Sequence, residues 1–343
     1  MWAAASWYTF SMTDLSDTAH SLMTTGRGIL AADESIASAD KRLTAYGITP
    51  SKEIRRQFRD LFLDAPGIEE YLSGVILYEE TLTQDTDEGV PFTKELLSRG
   101  IIPGIKVDEG TEPIPDSPEE LITKGLLGLP ERLQTYKTKY NTGFTKWRAV
   151  IRIEGDRLPT AYAIVENAKR LASYALSVQQ AGMVPMVEPE VLLEGSHSRL
   201  RSRQVLEATL TALMDSLRDQ GVDMSGLILK TSMALSGSDT GRRDTPQEVA
   251  EDTVAVLMKC VPADVAGIVF LSGGQTTEQA TENLRAICAV AREAKAPWPL
   301  TFSYARALQD EALTAWAGDE ANEEKARDIF LARLKKVSSA LQV

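Results

Sequence analysis

Gly226-Leu227-Ile228-Leu229-Lys230 is a short run that is apolar on both faces of an extended chain and ends in a charged side chain. Strands of this kind occur in parallel sheets that helices cover on both sides. Seven more short, β-rich runs recur along the chain, at residues 28–33, 72–78, 101–107, 147–153, 183–187, 267–272 and 300–304. Together they predict the strands of one parallel sheet.

The segments between these runs carry helical patterns. Residues 161–180 and 202–220 repeat apolar side chains at helical spacing. Thr245-Pro246-Gln247-Glu248 has the form of a capping box with proline at the first helical position. Strands that alternate with helices in eight such units favour a closed (β/α)8 TIM barrel over an open, doubly wound sheet. We therefore predict an α/β fold with a single domain.

The predicted barrel domain spans residues 15–343 and includes a C-terminal tail. The start of the chain is apolar but has no basic residue and no clear cleavage site, so residues 1–14 are expected to form a poorly ordered extension rather than a signal peptide. Residues 108–133 are rich in Pro, Gly and acidic side chains and predict a long loop with a short helix. Residues 318–343 predict a charged helix with a mixed tail.

The composition is that of an ordinary soluble globular protein and limits the chemistry. The chain of 343 residues has a net charge of −12, which argues against nucleic acid as a partner, and no apolar run reaches membrane-spanning length. Two histidines are too few for a histidine-rich zinc site, and the two cysteines are expected to be buried free thiols in a reducing compartment. We expect no metal and no cofactor, so catalysis must depend on lysine, carboxylate, serine and arginine.

The carboxyl ends of the strands are where a (β/α)8 barrel places its active site. The polar residues at these ends are Asp33, Lys106, Glu188, Lys230, Ser272 and Arg306. Lys146 and Arg148 lie at the opening of the fourth run instead. Either this strand begins earlier than its apolar pattern indicates, or these two residues do not belong to the site.

Lys230 is the candidate nucleophile. A lone lysine at the end of a strand more often extends into solvent, but Lys106 and Lys146 are expected in the same pocket. Neighbouring cations and removal from water both favour the free amine, which can attack a carbonyl carbon. Glu188 ends another buried strand and is either a structural partner of one of these lysines or a relay for protons during addition and dehydration.

Two candidate anion sites flank Lys230. Gly273-Gly274 is either an ordinary turn or a loop whose backbone amides surround a phosphate. Arg306 favours the phosphate, because the loops after strands seven and eight often hold one in this fold. Lys106 offers a contact at the other end of the pocket, whereas Lys41-Arg42 alone is more typical of a solvated helix face. These residues indicate a bisphosphorylated substrate with a carbonyl group.

A set of longer segments runs through the whole chain after about residue 15. They are Gly28-Ile29-Leu30-Ala31-Ala32-Asp33-Glu34-Ser35, Gly104-Ile105-Lys106-Val107-Asp108, Lys146-Trp147-Arg148, Val187-Glu188-Pro189-Glu190, Leu229-Lys230, Phe270-Leu271-Ser272-Gly273-Gly274-Gln275, Thr301-Phe302-Ser303-Tyr304 and Arg306-Ala307-Leu308-Gln309. In this order and spacing they resemble class I fructose-bisphosphate aldolases of the eukaryotic type.

The resemblance implies a lyase that cleaves fructose 1,6-bisphosphate reversibly to dihydroxyacetone phosphate and glyceraldehyde 3-phosphate through a Schiff base on Lys230. It implies that Glu188 and Lys146 form and dehydrate the carbinolamine, and that Asp33 takes the proton of the 4-hydroxyl. The positions that match the 1-phosphate site are Ser272, Gly273, Gly274, Ser303 and Arg306, and those that match the other phosphate site are Ser35, Ser38, Lys41, Arg42, Lys106 and Arg148. The family further implies a metal-independent homotetramer that acts on sugar phosphates in cytoplasmic glycolysis and gluconeogenesis.

Three positions depart from the family pattern. Thr231-Ser232 follows Lys230 where the family has Pro-Asn, Ala305 replaces a glycine, and the sequence ends in Leu341-Gln342-Val343 without a terminal tyrosine. We expect these differences to affect rate and substrate preference more than the imine chemistry. The alternatives are another lysine-dependent barrel lyase, such as a transaldolase or a single-phosphate aldolase, and a non-catalytic scaffold with an aldolase surface. Two phosphate sites argue against the first, and the intact set of candidate catalytic residues argues against the second.

Overall fold

Eight parallel strands close into a barrel in the computed structural model, which describes residues 15–342. Ten strands are numbered along the chain: β1 (Gly28–Ala32), β2 (Leu72–Leu77), β3 (Ile102–Lys106), β4 (Thr111–Ile114), β5 (Ser117–Thr123), β6 (Phe144–Ile151), β7 (Val184–Val191), β8 (Ile228–Thr231), β9 (Gly267–Phe270) and β10 (Leu300–Tyr304). Around the barrel their order is β1-β10-β9-β8-β7-β6-β3-β2, and β4 and β5 lie outside it. The predicted single-domain (β/α)8 TIM barrel is confirmed, and all eight predicted strands are present.

Helices surround the barrel. They are α1 (Leu15–Leu22), α2 (Ile36–Ala45), α3 (Lys52–Leu63), α4 (Glu79–Leu82), α5 (Phe92–Ser98), α6 (Leu129–Tyr140), α7 (Ala161–Gln180), α8 (Arg199–Asp219), α9 (Pro246–Cys260), α10 (Thr277–Glu293), α11 (Arg306–Trp316) and α12 (Glu323–Ser339). The capping box predicted at Thr245 is present, because its hydroxyl accepts from the amide of Glu248 and the Glu248 carboxylate accepts from the amide of Thr245. Helix α7 has the predicted bounds, and α8 begins three residues before its predicted start at residue 202.

The strands β6 and β7 are longer than their apolar patterns indicate. They pair over their full length, from Phe144 opposite Val184 to Ile151 opposite Val191. Lys146 and Glu188 therefore lie inside strands. The predicted fourth strand began one residue after Lys146, and the predicted fifth strand ended one residue before Glu188. The first of the two possibilities left open for Lys146 is the one observed: β6 starts at Phe144.

The segment predicted as a long loop with a short helix is different in the structure. Residues 111–123 form an antiparallel hairpin of β4 and β5, and the helix that follows, α6, has 12 residues. The prediction of a loop was wrong because Pro113 and the exposed glutamates of this segment are poor strand formers on their own. Pairing between the two strands, with Ile114 and Ile122 packed against Ala163 of α7, stabilises the hairpin.

The barrel interior near the amino ends of the strands is a packed apolar layer. Leu22, Met23, Ile29, Phe144 and Ile228 belong to one buried cluster inside the barrel. Glycines in the strands leave room for the large side chains: a Cβ on Gly104 would lie 2.4 Å from the ring of Phe144. The interior of the barrel is therefore filled by side chains at this end.

The C-terminal region contains the predicted charged helix, α12, followed by a short 3-10 turn at Ala340–Gln342. No helix of residues 15–342 is long and apolar enough to cross a membrane. The predicted extension, residues 1–14, lies outside the described residues, and the domain boundary at residue 15 stays a prediction.

Candidate active site

A row of four charged side chains lies at the carboxyl ends of the strands. Asp33 follows β1, and Lys146, Glu188 and Lys230 belong to β6, β7 and β8. The Nζ atom of Lys146 lies 2.6 Å from Oδ2 of Asp33 and 3.1 Å from Oε2 of Glu188. The other oxygen of Glu188, Oε1, lies 3.1 Å from Nζ of Lys230. The row thus alternates in charge, and all four residues are at least nine-tenths buried.

Burial of these charges shifts their ionisation. Burial opposes the charged form of Asp33, but Lys146 and Lys230 outweigh it and lower the pKa of Asp33 to about 2. The same two lysines lower the pKa of Glu188 against the effect of burial. For Lys146, burial alone would lower the pKa, but the charges of Asp33 and Glu188 hold it above its ordinary value. At neutral pH both carboxylates are therefore ionised and Lys146 is an ammonium ion, unable to attack a carbonyl.

The cavity above this row has a volume of about 930 Å³. Its lining includes the predicted residues Asp33, Ser35, Ser38, Lys106, Lys146, Arg148, Glu188, Lys230, Ser272, Gly273, Ser303 and Arg306. The structure brings together residues from the ends of the chain and from its middle, as the parallel barrel requires. A cavity of this size accommodates a sugar bisphosphate.

One end of the cavity is formed by the turn after β9 and the start of α11. Gly273 has φ +48° and Gly274 has φ +83°, a conformation that side chains disfavour, and a Cβ on Gly273 would lie 2.8 Å from Leu271. The hydroxyl of Ser303 is buried with no hydrogen-bond partner in the described chain. Arg306 is exposed and is the one basic residue of the cavity lining without an ion pair to any described carboxylate. The charge of Arg306 and the hydroxyl of Ser303 are therefore available to bind an anion at this end of the cavity.

The other end contains cations that already have partners. The Nζ atom of Lys106 lies 2.5 Å from Oδ1 of Asp108 and donates to its backbone carbonyl. Arg148 pairs with Glu190 across the strands β6 and β7. The hydroxyl of Ser35 caps α2 by accepting from the amide of Ser38. An anion bound at this end would either share Lys106 and Arg148 with their carboxylate partners or replace those partners.

Three predicted binding residues do not line the cavity. Gly274 belongs to the turn but not to the cavity lining, and Lys41 is exposed on α2. Arg42 is engaged in ion pairs with Glu34 and Asp310, each 2.6 Å away. Its guanidinium therefore ties α2 to α11, and its assignment to a phosphate stays a prediction.

Three carboxylates that lie close enough together to hold a metal ion are found away from the cavity. Among residues 15–342 they are Asp60, Asp87 and Glu323, none of which lines the cavity. Arg327 already pairs with both Asp60 and Glu323 at 2.7 Å. This group is an ion-pair network between α3 and α12.

Comparison with known proteins identifies the family. A family model of glycolytic class-I fructose-bisphosphate aldolases matches residues 14–343. The chain belongs to this family. It is 46% identical over 327 residues to a probable class 1 fructose-bisphosphate aldolase of Xanthomonas campestris, covering 95% of this chain and 96% of the relative. It is 44% identical over 332 residues to the fructose-bisphosphate aldolase C of Pan troglodytes, covering 96% and 90%.

A solved aldolase structure has the same fold. The aldolase of Plasmodium falciparum, in a complex with TRAP and a small-molecule inhibitor, aligns with a TM-score of 0.92 and 42% identity, covering 95% of this chain and 93% of the other. The family, the fold and the reaction class predicted from the sequence are confirmed.

Sequence reasoning missed the partners of the basic residues in the aldolase cavity. Asp108 and Glu190 hold Lys106 and Arg148, yet neither was a candidate. The signal was present: Lys146 and Arg148, like Glu188 and Glu190, are two residues apart, and such pairs on a strand point to the same side. Reading each strand at this spacing would have found Glu190. Asp108 follows Lys106 beyond the end of β3, where spacing is less reliable.

Proposed function

We propose that this chain cleaves fructose 1,6-bisphosphate reversibly to dihydroxyacetone phosphate and glyceraldehyde 3-phosphate, with Lys230 as the lysine that forms the Schiff base. The reaction is that of a lyase, and the family model places it in glycolysis. The observation that supports this choice of lysine is the alternating row of charges. Lys146 has a carboxylate on each side, which keeps it protonated, whereas Lys230 contacts only Glu188 at its end of the row.

Imine formation uses the Lys230 end of the row. The Lys230 ammonium group first gives a proton to Glu188, and the free amine attacks the C2 carbonyl of the ketose. The nitrogen then passes a second proton to the carbonyl oxygen to give a neutral carbinolamine. Glu188 delivers its proton to that oxygen, which leaves as water. Lys146 contacts the same carboxylate and stabilises its negative charge when the proton has left. The protonated imine is then the electron sink of the reaction.

Cleavage uses the Asp33 end. Asp33 removes the proton of the 4-hydroxyl, the bond between C3 and C4 breaks, and its electron pair moves into the imine to give an enamine. The aldehyde product leaves. Protonation of the enamine at C3 and hydrolysis of the imine release dihydroxyacetone phosphate and restore the Lys230 amine.

The two ends of the cavity hold the two phosphates in this proposal. The 1-phosphate is assigned to the end formed by Arg306, Ser303, Ser272 and the amides of the Gly273 turn, as the family resemblance implies. Within residues 15–342 the Arg306 guanidinium has no carboxylate partner and the Ser303 hydroxyl has no hydrogen-bond partner, which supports an anion at this end. Ser35, Ser38, Lys106 and Arg148 bind the other phosphate. A transaldolase or a single-phosphate aldolase has no use for both ends.

The experiment that tests Lys230 is trapping of the imine. Sodium borohydride reduces the imine formed with dihydroxyacetone phosphate to a stable secondary amine on the lysine that formed it. We expect one adduct per chain on Lys230, located by mass spectrometry of a digest. In Lys106→Met protein the same adduct should form at about the same concentration of dihydroxyacetone phosphate, because Lys106 is assigned to the other phosphate. An adduct on Lys106 or Lys146 in the unaltered chain would overturn the assignment.

We propose further that the protein works as a homotetramer in the cytoplasm. Support comes from the resemblance to the family and from relatives such as the cytosolic isozyme of Arabidopsis thaliana, 46% identical over 319 residues. Light scattering after size-exclusion chromatography should give a mass near four times 37.5 kDa. A monomeric mass in the active enzyme would reject the tetramer without affecting the chemistry.

A further inference from the structure

A second cavity, of about 360 Å³, lies on the outside of the barrel where α8 begins. We propose that this cavity is a binding site for a small anion, a phosphate monoester or a carboxylate. Its lining includes Asp156, Ser196, His197, Ser198, Arg201 and Gln204. It shares no lining residue with the aldolase cavity, and the proposal does not depend on the proposed function.

His197 is the observation that points to a ligand. Its side chain forms part of the cavity wall, and the residue is only 6% exposed. Neither ring nitrogen has a hydrogen-bond partner of proper length and angle in residues 15–342; the carbonyl of Leu235 faces the ring outside that geometry. Buried polar groups in native proteins are nearly always satisfied, by protein, water or ligand. An imidazole in the wall of a cavity that has no partner within residues 15–342 therefore marks a position where a ligand can accept or donate a hydrogen bond.

The ionisation of His197 defines what it can offer. Burial, followed by the positive charge of Arg201, lowers its pKa below the ordinary value, although Asp239 opposes this. The ring is therefore neutral at physiological pH and provides one N–H donor and one acceptor. The N–H suits an oxygen of an anion, and the acceptor suits a hydroxyl group on the same ligand.

Arg201 supplies the positive charge. It lies in the first turn of α8, a helix of 21 residues whose N-cap is Ser198. Its guanidinium donates to the carbonyls of Gly155 and Leu158 and pairs with no described carboxylate. Its neighbours Arg199 and Arg203, by contrast, both pair with Asp252. The charge of Arg201 is thus left for a ligand, and the dipole of the long helix adds to it.

The remaining wall fits a small polar molecule. Ser196 and Ser198 are exposed hydroxyls, and Gln204 adds an amide one turn further along the helix. Asp156 is the carboxylate of the lining. It is exposed, so solvent screens its repulsion of a bound anion. At about 360 Å³ the cavity is near the lower limit for ligand sites, which favours a short phosphorylated or carboxylated metabolite.

The experiment exploits the two histidines of the sequence. His20 is exposed on α1, so in His20→Gln protein the Cε1 signal of histidine belongs to His197 alone. Inorganic phosphate is titrated at fixed pH and ionic strength while this signal is recorded by NMR with ¹³C-labelled histidine. We expect a saturable shift with a dissociation constant of about 1 mM or below. No saturable shift below about 50 mM would overturn the proposal.

Variants in the same background locate the signal. Arg201→Gln should weaken phosphate binding at least about tenfold, and Arg201→Lys, which keeps the charge and guards against misfolding, by less. Arg218→Gln removes a charge of the same sign near the other end of α8 and should change nothing. Arg306→Ala disables the aldolase cavity and should also leave the shift of His197 intact. A shift that survives in Arg201→Gln, or is lost in Arg306→Ala, would assign the signal elsewhere and reject the site.

Discussion

The two ends of the barrel are built from the same eight strands but have opposite interiors. At the amino ends, Leu22, Phe144 and Ile228 fill the barrel with apolar side chains, and α1 covers them. At the carboxyl ends, Asp33, Lys146, Glu188 and Lys230 place four charges in a space that is almost as well buried. Burial alone therefore does not make a hydrophobic core. Apolar packing at the amino ends stabilises the fold, whereas the buried charges at the carboxyl ends form the candidate active site.

The charged end remains stable because its charges are matched. Removing an ion from water without a partner costs several kcal/mol, and each buried lysine of the cavity has a carboxylate within about 3 Å. Substitutions at this end should therefore reduce activity strongly, and they should reduce stability only where they leave a buried charge without a partner. At the apolar end, substitutions should reduce stability strongly and activity weakly. The following predictions test this difference.

The largest effect is expected for Lys230→Met. Methionine keeps an unbranched apolar side chain of similar volume, and Glu188 retains its contact with Lys146, so the barrel should fold. Without the amine no imine forms, and kcat/KM for fructose 1,6-bisphosphate should fall at least about 10⁴-fold, or more than about 5 kcal/mol. Cleavage assays and thermal denaturation of the same preparation check both statements. If the variant lost its fold together with its activity, the charged end would be structural as well as catalytic.

Arg306→Ala should produce the next effect. Loss of a charged hydrogen-bond donor to the 1-phosphate costs about 1.5–3 kcal/mol, so binding of dihydroxyacetone phosphate and fructose 1,6-bisphosphate should weaken about 10–100-fold. Binding of glyceraldehyde 3-phosphate should change little, because this product carries the other phosphate. Calorimetric titration of each compound separates the cases. Weaker binding of glyceraldehyde 3-phosphate alone would mean that the two ends of the cavity are assigned in reverse.

Gly104→Ala tests the apolar end. The added Cβ would lie 2.4 Å from the rigid ring of Phe144, which is fully buried, so repacking should cost about 1–3 kcal/mol of unfolding free energy. Gly267→Ala is the matched control: its Cβ would meet Met23 at 2.5 Å, and that flexible side chain can move. The control should cost clearly less. Thermal midpoints report the difference, and activity per folded molecule should be retained in both variants.

Equal midpoints for the two glycine variants would contradict the view that the rigid ring of Phe144 sets the packing at the amino ends. A large loss of kcat in either folded variant would contradict the separation of the two ends.

This separation also explains what the sequence could and could not reveal. Apolar runs predict strands well where a strand is apolar throughout, as in β1 and β9. They fail where a strand contains charged residues. For this reason the predicted start of β6 came after Lys146, and the predicted end of β7 came before Glu188. The order of charges in the row depends on which strands are neighbours in the closed barrel, so spacing along the chain does not determine that Lys146 lies between two carboxylates. The hairpin of β4 and β5 depends on pairing and packing that its composition does not indicate.

The smallest effect concerns two buried aspartates and the dependence of stability on pH. Asp33 lies among lysines, which lower its pKa to about 2 despite burial. Asp60, on α3, is also buried, but burial and the nearby charge of Asp87 outweigh Arg327 and raise its pKa to about 6. Both groups have a pKa of about 4 in the unfolded chain. The same residue type therefore responds to pH in opposite directions in the two environments.

The sign of each contribution follows from linkage. The lowered pKa of Asp33 stabilises the fold above pH 4, and this contribution is lost as pH falls from about 4 through about 2. The raised pKa of Asp60 means that the folded state binds the proton more tightly, so its contribution is present below pH 4 and is lost as pH rises from about 4 through about 6. Of the two aspartates, only Asp60 should change its contribution between about pH 4.5 and about pH 7.

Urea unfolding of Asp60→Asn and Asp33→Asn at these two pH values measures the contributions separately. Asparagine at position 60 can still accept from the amide of Asp87 but does not titrate. We expect the stability of Asp60→Asn relative to the unaltered protein to rise by about 1–2 kcal/mol between the lower and the higher pH. The relative stability of Asp33→Asn should stay constant over that range. A pH dependence that disappears in Asp33→Asn instead would mean that the lysines of the active site do not hold that carboxylate in its ionised form.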